Sequence, residues 1–188
     1  MSFRDGNVSR SAARKRVAVV IANPAFSSTT GWPVGFWWSE LTHPCLAFEE
    51  AGYGTEVFSP DGGRCTADAL SDPNDASGYS SSDLVTQGFI HTPALRAPVD
   101  ATRSVRELDC SKFDAILRYA RLPGGELLAR GRHVMPWCSE DELKALGANY
   151  LQAGLWRSFA VRDGHLVTGQ QNFSGAETAR LVIESPGR

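Results

Sequence analysis

The sequence predicts an α/β fold around a parallel sheet, and three consecutive segments carry that expectation. The run Val17-Ala18-Val19-Val20-Ile21-Ala22 is continuous and rich in β-branched residues, as in a strand covered on both faces. Apolar residues then recur at helical spacing from Leu41 through Cys45 and Phe48 to Ala51, and Thr55-Glu56-Val57-Phe58 supplies a second strand. Strand, helix and strand within about forty residues make a βαβ unit, whose connection is right-handed.

The remaining elements follow in chain order. Residues 1–15 are polar and carry Arg4, Arg10, Arg14 and Lys15 without periodicity, the mark of a flexible leader, so order is expected from Arg16 and one domain over residues 16–188. Gly52 stops the first helix, and Ser59-Pro60-Asp61-Gly62-Gly63 stops the second strand. From Pro60 to about Pro98 the chain is rich in Ser, Asp, Gly and Pro, and a loop of that length is expected to be a lid or a disordered insertion. Ser104-Val105-Arg106-Glu107 fits a capping box opening a short helix, and Lys112-Phe113-Asp114-Ala115-Ile116-Leu117 reads as a third strand.

After Leu117 the pattern fails. Arg118 and Arg121 stand where a parallel sheet wants apolar side chains, and Pro123-Gly124-Gly125 breaks whatever precedes it. Ser139-Glu140-Asp141-Glu142 opens a helix that runs through Leu143 and Leu146 to Gly147. Residues 158–161 and 165–168 flank Arg162-Asp163-Gly164, a hairpin signal carried by Asp-Gly. Ser174-Gly175-Ala176-Glu177 caps a last helix with Ala179, Leu181, Val182 and Ile183 on its apolar side.

Composition narrows the function classes. A chain of 188 residues, 42% hydrophobic and 21% charged, fits one soluble domain and excludes wholesale disorder, collagen-like repeats and a coiled coil. A net charge of −2 offers no broad attraction for nucleic acid or anionic lipid, so neither nucleic acid nor membrane is an expected partner. The longest apolar run, Val17 to Ala22, is too short to cross a bilayer or to form a typical signal peptide, which leads to a cytoplasmic expectation. On that expectation the sequons Asn7-Val8-Ser9 and Asn172-Phe173-Ser174 carry no glycan. Cys45, Cys65, Cys110 and Cys138 lie far apart with no C-x-x-C, which fits a reduced compartment and excludes a zinc ribbon or a thioredoxin motif. Neither G-x-G-x-x-G, a Walker lysine loop, H-E-x-x-H nor G-x-S-x-G occurs, so no cofactor and no metal are expected.

The chemistry-bearing stretch is Gly31-Trp32-Pro33-Val34-Gly35-Phe36-Trp37-Trp38-Ser39-Glu40-Leu41-Thr42-His43-Pro44, at the carboxyl end of the first strand, where open α/β sheets bind ligands. Glu40 has two readings: a proton shuttle whose pKa is raised by neighbouring aromatic surface, or a solvated glutamate favoured by the helix dipole. His43, three residues on, shares a helical face with Glu40 and could join it in holding a proton or a metal ion, with a structural hydrogen bond as the first expectation. The aromatic group Trp32, Phe36, Trp37 and Trp38 could stack a ligand but is first expected in the core. Cys45 and Cys110 read as small buried hydrophobes and Cys65 lies in a loop beside Arg64. Cys138, before Ser139 and near His133, has the best claim to reactivity, against plain packing or exposure.

These pieces together resemble a known family. The strand from Arg16 to Ala22, Gly35-Phe36-Trp37-Trp38-Ser39-Glu40-Leu41-Thr42-His43-Pro44, the strand ending in Ser59-Pro60-Asp61-Gly62-Gly63, Phe113-Asp114-Ala115-Ile116, and Asp163-Gly164-His165-Leu166-Val167-Thr168-Gly169-Gln170-Gln171-Asn172 are similar to the ThiJ/PfpI superfamily of class I glutamine-amidotransferase-like proteins. The closer likeness is to the branch of chaperone-type glyoxalases, over about Arg16 to Glu184. The resemblance implies a flavodoxin-like, doubly wound, mostly parallel sheet. It also implies a cysteine at a strand-to-helix elbow, usually followed by histidine, and a glutamate after the first strand, which resembles Glu40. The elbow has no counterpart: Leu117 runs straight into Arg118-Tyr119-Ala120-Arg121-Leu122-Pro123, similar to the end of the helix that follows the elbow in relatives. That first gap, the size of a helix-plus-strand repeat, leaves the sheet expected to be incomplete in the centre, and a second segment that relatives carry, a strand and an acidic loop, has no counterpart between Gly131 and Arg132.

Three expectations about function follow. Intact relatives perform cysteine-dependent, glyoxalase-like or amidase-like chemistry on small carbonyl or amide compounds, with a part in stress response, and this chain, holding Glu40 alone of the site, is expected to be dead by that route. Alternatively, exposed apolar faces make it a binding or holdase-like homodimeric module. A third expectation is a shortened product whose function lies in a longer form.

Overall fold

The computed structural model describes residues 14–26, 31, 35–118, 139–154 and 156–185. Strand β1 (Arg16–Val20) leads through the site segment to helix α1 (Trp38–Glu50), and strand β2 (Gly54–Ser59) returns beside β1. Helices α2 (Leu84–Ile90) and α3 (Pro93–Asp100) follow, then the short strand β3 (Arg103–Ser104), strand β4 (Ala115–Arg118) and helix α4 (Ser139–Ala145). The antiparallel pair β5 (Ala160–Asp163) and β6 (Leu166–Gly169) precedes helix α5 (Gly175–Ile183).

The main sheet is parallel throughout, in the order β3-β2-β1-β4, so β1 is flanked on both edges: Val17 stands opposite Thr55 on one side and Ala115 on the other. Val17, Ala18 and Val19 are fully buried, as their uninterrupted apolar run requires of a strand covered on both faces. The expected flavodoxin-like α/β architecture is therefore present, with β4 at an edge of the sheet among the described residues.

One face of the sheet carries the main core. Val17, Val19 and Ile21 of the β1 segment, Val57 and Leu117 meet Leu41, Cys45 and Phe48 of α1, with Phe89 of α2, Val99 of α3 and Ala179 of α5. Helix α1 has Pro44 in its interior; proline lacks the N–H that would bond four residues back, so packing must hold the turn. Pro44 is buried against α5 at Gly175, where a Cβ would come within 3.3 Å of the Pro44 ring and the Ser39 carbonyl. The second face carries Ala18, Val20, Phe58 and Phe113, packed against Val105 and Leu108.

Several expectations need correction. The stretch from Pro60 to Pro98 is no unstructured lid or disordered insertion; it folds into α2, α3 and a 3₁₀ turn at Ala69–Ser71. Asp83 caps α2 by accepting the Thr86 N–H at 3.0 Å, Pro93 opens α3, and the isolated apolar residues Phe89 and Val99 anchor the segment to the core. Order reaches back to Arg14, whose guanidinium donates to the carbonyls of Gly52 at 3.2 Å and Tyr53 at 2.8 Å. The capping signal at Ser104 opens a single 3₁₀ turn, Val105–Glu107, and the third strand starts at Ala115 because Cys110–Lys112 form another such turn. The hairpin turns at Gly164-His165, since Asp163 pairs across with Leu166. Ser174 does not cap α5 with its side chain; it accepts the N–H of Phe159 and closes the 3₁₀ turn Asn172–Ser174 with Gln171. Arg118, where the pattern first fails, closes β4 opposite Val20 at the edge of the sheet among the described residues; the first 13 residues of the expected leader, and residues 119–138, lie outside the described residues. No described helix is long and apolar enough to cross a membrane.

Candidate functional site

The carboxyl edge of the parallel sheet gathers the end of β1, the entry to α1 and the loop after β2. Gly35 enters α1 against the backbone of the later segment, where a Cβ would stand 2.5 Å from the Thr66 oxygen and the Ala67 carbonyl carbon. That approach lets the Asp68 N–H donate to the Phe36 carbonyl at 2.9 Å and fixes the start of the helix. Phe36 and Trp38 are buried, edge to face at 4.9 Å, and Trp38 lies 6.2 Å from Phe89. These two aromatics are core, as first expected; Trp37 is half-buried and meets Tyr79 edge to face at 5.9 Å, and Trp32 lies outside the described residues.

Glu40 stands in the first turn of α1, half-buried, its N–H bonded to the Trp37 carbonyl at 3.1 Å. His43, one turn on, takes the structural hydrogen bond expected of it: Nε2 lies 2.9 Å from Oδ1 of Asp83. Asp83 also receives the Thr86 hydroxyl at 2.7 Å on its other oxygen, and that hydroxyl meets Thr42 at 2.8 Å inside the fold. Burial pushes the Asp83 carboxyl up, but the N–H and hydroxyl of Thr86 and the His43 ring outweigh it, so its pKa falls below the usual carboxylate value. Sequence reasoning missed Asp83 because it fell in a stretch read as loop. The signal was present in Asp83-Leu84-Val85-Thr86, an acidic cap three residues before a hydroxyl.

The thiols are scattered. Cys45 is buried on α1, and burial pushes its pKa up to about 12, which leaves it protonated and inert. Cys65 is buried at the carboxyl edge, beyond β2, in a polar cluster. The Asn23 amide donates to its Sγ at 3.6 Å, and Thr102 lies 3.8 Å away while donating to the Gly63 carbonyl at 2.7 Å and meeting Ser59 at 2.6 Å. Cys110 is exposed, against the expectation of burial, because it sits in the 3₁₀ turn before β4 rather than on the strand. That turn lies at the amino edge of the sheet, the end opposite Glu40. Cys138 and His133 lie outside the described residues.

Beside Trp38, a cavity of about 180 Å³ opens between the Arg64–Asp72 stretch and Arg96 of α3. The Arg96 guanidinium lies over the Trp38 ring at 5.0 Å and bonds Asp100 at 3.3 Å, and Arg64 approaches the same carboxylate at 3.7 Å. Among the described residues no group of three or more His, Cys, Asp or Glu side chains could hold a metal ion, so Glu40 and His43 form no such site there.

The architecture matches solved structures over most of the chain. The Francisella tularensis rapid encystment protein of 24 kDa superposes with a TM-score of 0.72 at 18% identity, over 90% of this chain and 98% of that one. Glyoxalase III from Candida albicans superposes with a TM-score of 0.61 at 18% identity, over 90% of this chain and 96% of that one. The chain has their fold. A third solved structure, at 24% identity and a TM-score of 0.66, covers the same 90%. No family model matches the sequence, and no curated protein does.

Proposed function

We propose that this chain is a ThiJ/PfpI-type α/β protein that retains the acid of the family's site, Glu40, and has lost the thiol nucleophile. Glyoxalase-like or amidase-like chemistry on small carbonyl or amide compounds then belongs to its intact relatives. The fold it shares with glyoxalase III supports the family reading. The loss is carried by one observation: of the three described thiols, Cys45 is buried in α1, Cys65 borders the cavity beside Trp38 but is buried and engaged by Asn23 and Thr102, and Cys110 lies in a turn at the far edge of the sheet from Glu40. A thiolate attacking an aldehyde needs a sulfur that is both reachable and close to the base that moves the proton.

Methylglyoxal consumption tests this. The expected result is no turnover above buffer, unchanged when Cys45, Cys65, Cys110 and Cys138 are all replaced by Ser. Turnover lost on that replacement would restore the nucleophile, and turnover surviving it would remove the thiol mechanism altogether.

A second reading, a holdase-like homodimer, is favoured by Ile116, which is 47% exposed on the second face of the sheet, and by the exposed Leu146 and Trp156. Light scattering with a dye that senses apolar surface checks it: a dimer that binds the dye is expected, and a monomer that excludes it would end this reading.

A further inference from the structure

We propose that the cavity beside Trp38 binds a small zwitterion of the α-amino acid class, a site that needs no thiol and stands apart from the Glu40 chemistry. Its lining carries both charges. Arg64 and Arg96 line it and share a single carboxylate partner, Asp100, so a positive charge remains there. It is also lined by Asp68 and Asp72, at the ends of the 3₁₀ turn at Ala69–Ser71.

The donors and acceptors left over match such a ligand. Arg96 bonds Asp100 through Nε and Nη2, at 3.3 and 3.4 Å, which leaves Nη1 with no partner among the described residues. Arg64 is an ion-pair neighbour only, through Nε at 3.7 Å, so both of its terminal nitrogens remain to form a fork around a carboxylate. Asp72 commits Oδ1 to the N–H and the amide of Asn74, at 2.8 and 3.1 Å, and its Oδ2 has no partner among the described residues, an acceptor for an ammonium group. A simple anion would satisfy the arginines and be repelled by the aspartates; a simple amine would meet the reverse. A ligand carrying both charges answers both sets of groups. A cavity of about 180 Å³ limits it to a compact molecule, with the Trp38 ring beside its side chain.

The test uses the full chain and three probes that carry both charges, the negative charge alone and the positive charge alone: alanine, N-acetylalanine and isopropylamine. Thermal shift and calorimetry should show stabilisation and heat with alanine and neither with the two singly charged probes. Arg64→Gln and Asp72→Asn alter exposed or half-exposed side chains outside the core, so each should leave the unliganded melting temperature in place. Each should also weaken alanine binding by about tenfold or more, the effect of removing one charge-assisted hydrogen bond. No response to alanine, an equal response to N-acetylalanine or isopropylamine, or unchanged alanine binding in both variants would overturn the proposal.

Discussion

The two faces of the parallel sheet are finished in different ways. On the first, Val17, Val19, Ile21 and Leu117 are sealed beneath side chains from α1, α2, α3 and α5. On the second, Ala18 and Val20 are buried, but the rings beside them are covered by cations. Arg16 lies over Phe113 at 4.8 Å and Arg103 over Phe58 at 5.2 Å, with Glu56 paired to both guanidiniums. Ile116, on the same face, is left 47% exposed. In a doubly wound fold helices cover both faces. The described residues cover the first face with helices and the second with turns and arginines.

Substitutions on the two faces sharpen this contrast, beginning with the largest. Phe48→Ala, beneath α1, should cost about 3–5 kcal/mol in chemical denaturation, the range for a large side chain lost from a sealed core. Gly35→Ala places a methyl 2.5 Å from backbone that holds the site segment, and a loss of about 1–3 kcal/mol is expected from the same measurement. Asp83→Ala removes the α2 cap and the His43 partner that close the first face, for about 1–2 kcal/mol. Ile116→Ser on the second face should fall within about 0.5 kcal/mol of the parent, as at an ordinary surface position. A cost for Ile116→Ser approaching that of Phe48→Ala would mean that the second face is as well covered as the first.

The Asp83 network also sets a pH dependence. Because its folded pKa lies below the unfolded one, the stabilisation is present above the unfolded carboxylate value, about 3.9, and is lost as pH falls through the folded value. Melting temperature followed from neutral pH into that acidic range should drop more steeply for the parent than for Asp83→Asn, in which no carboxylate remains to titrate. Parallel curves would remove Asp83 as an acid-sensitive fastening of α2.

The sequence disclosed β1, α1 and β2 because their apolar periodicity matches their burial, and it placed Glu40 in the first turn of α1. It misread residues 60–98 because the helices there are short and each is held by one or two buried anchors, Phe89 and Val99, too few to set up a period. Asp83 reaches the site through that same stretch and was hidden with it, whereas Cys65, read as a loop residue beside Arg64, is buried there by Asn23 and Thr102. Cys110 was misjudged because the residue before a strand can lie in a turn that faces solvent, a choice settled by tertiary packing.

Amide hydrogen exchange along β4, compared with β1, tests the proposed loss of the nucleophile-bearing unit most directly. With no strand paired beyond β4 among the described residues and none expected on the proposed loss, the amides of Val17, Ala18 and Val19 should resist exchange while alternate amides of Ala115–Arg118, those directed away from β1, exchange rapidly. Slow exchange at all four β4 amides would reveal a further strand on that edge and contradict the loss of the element that presents the thiol.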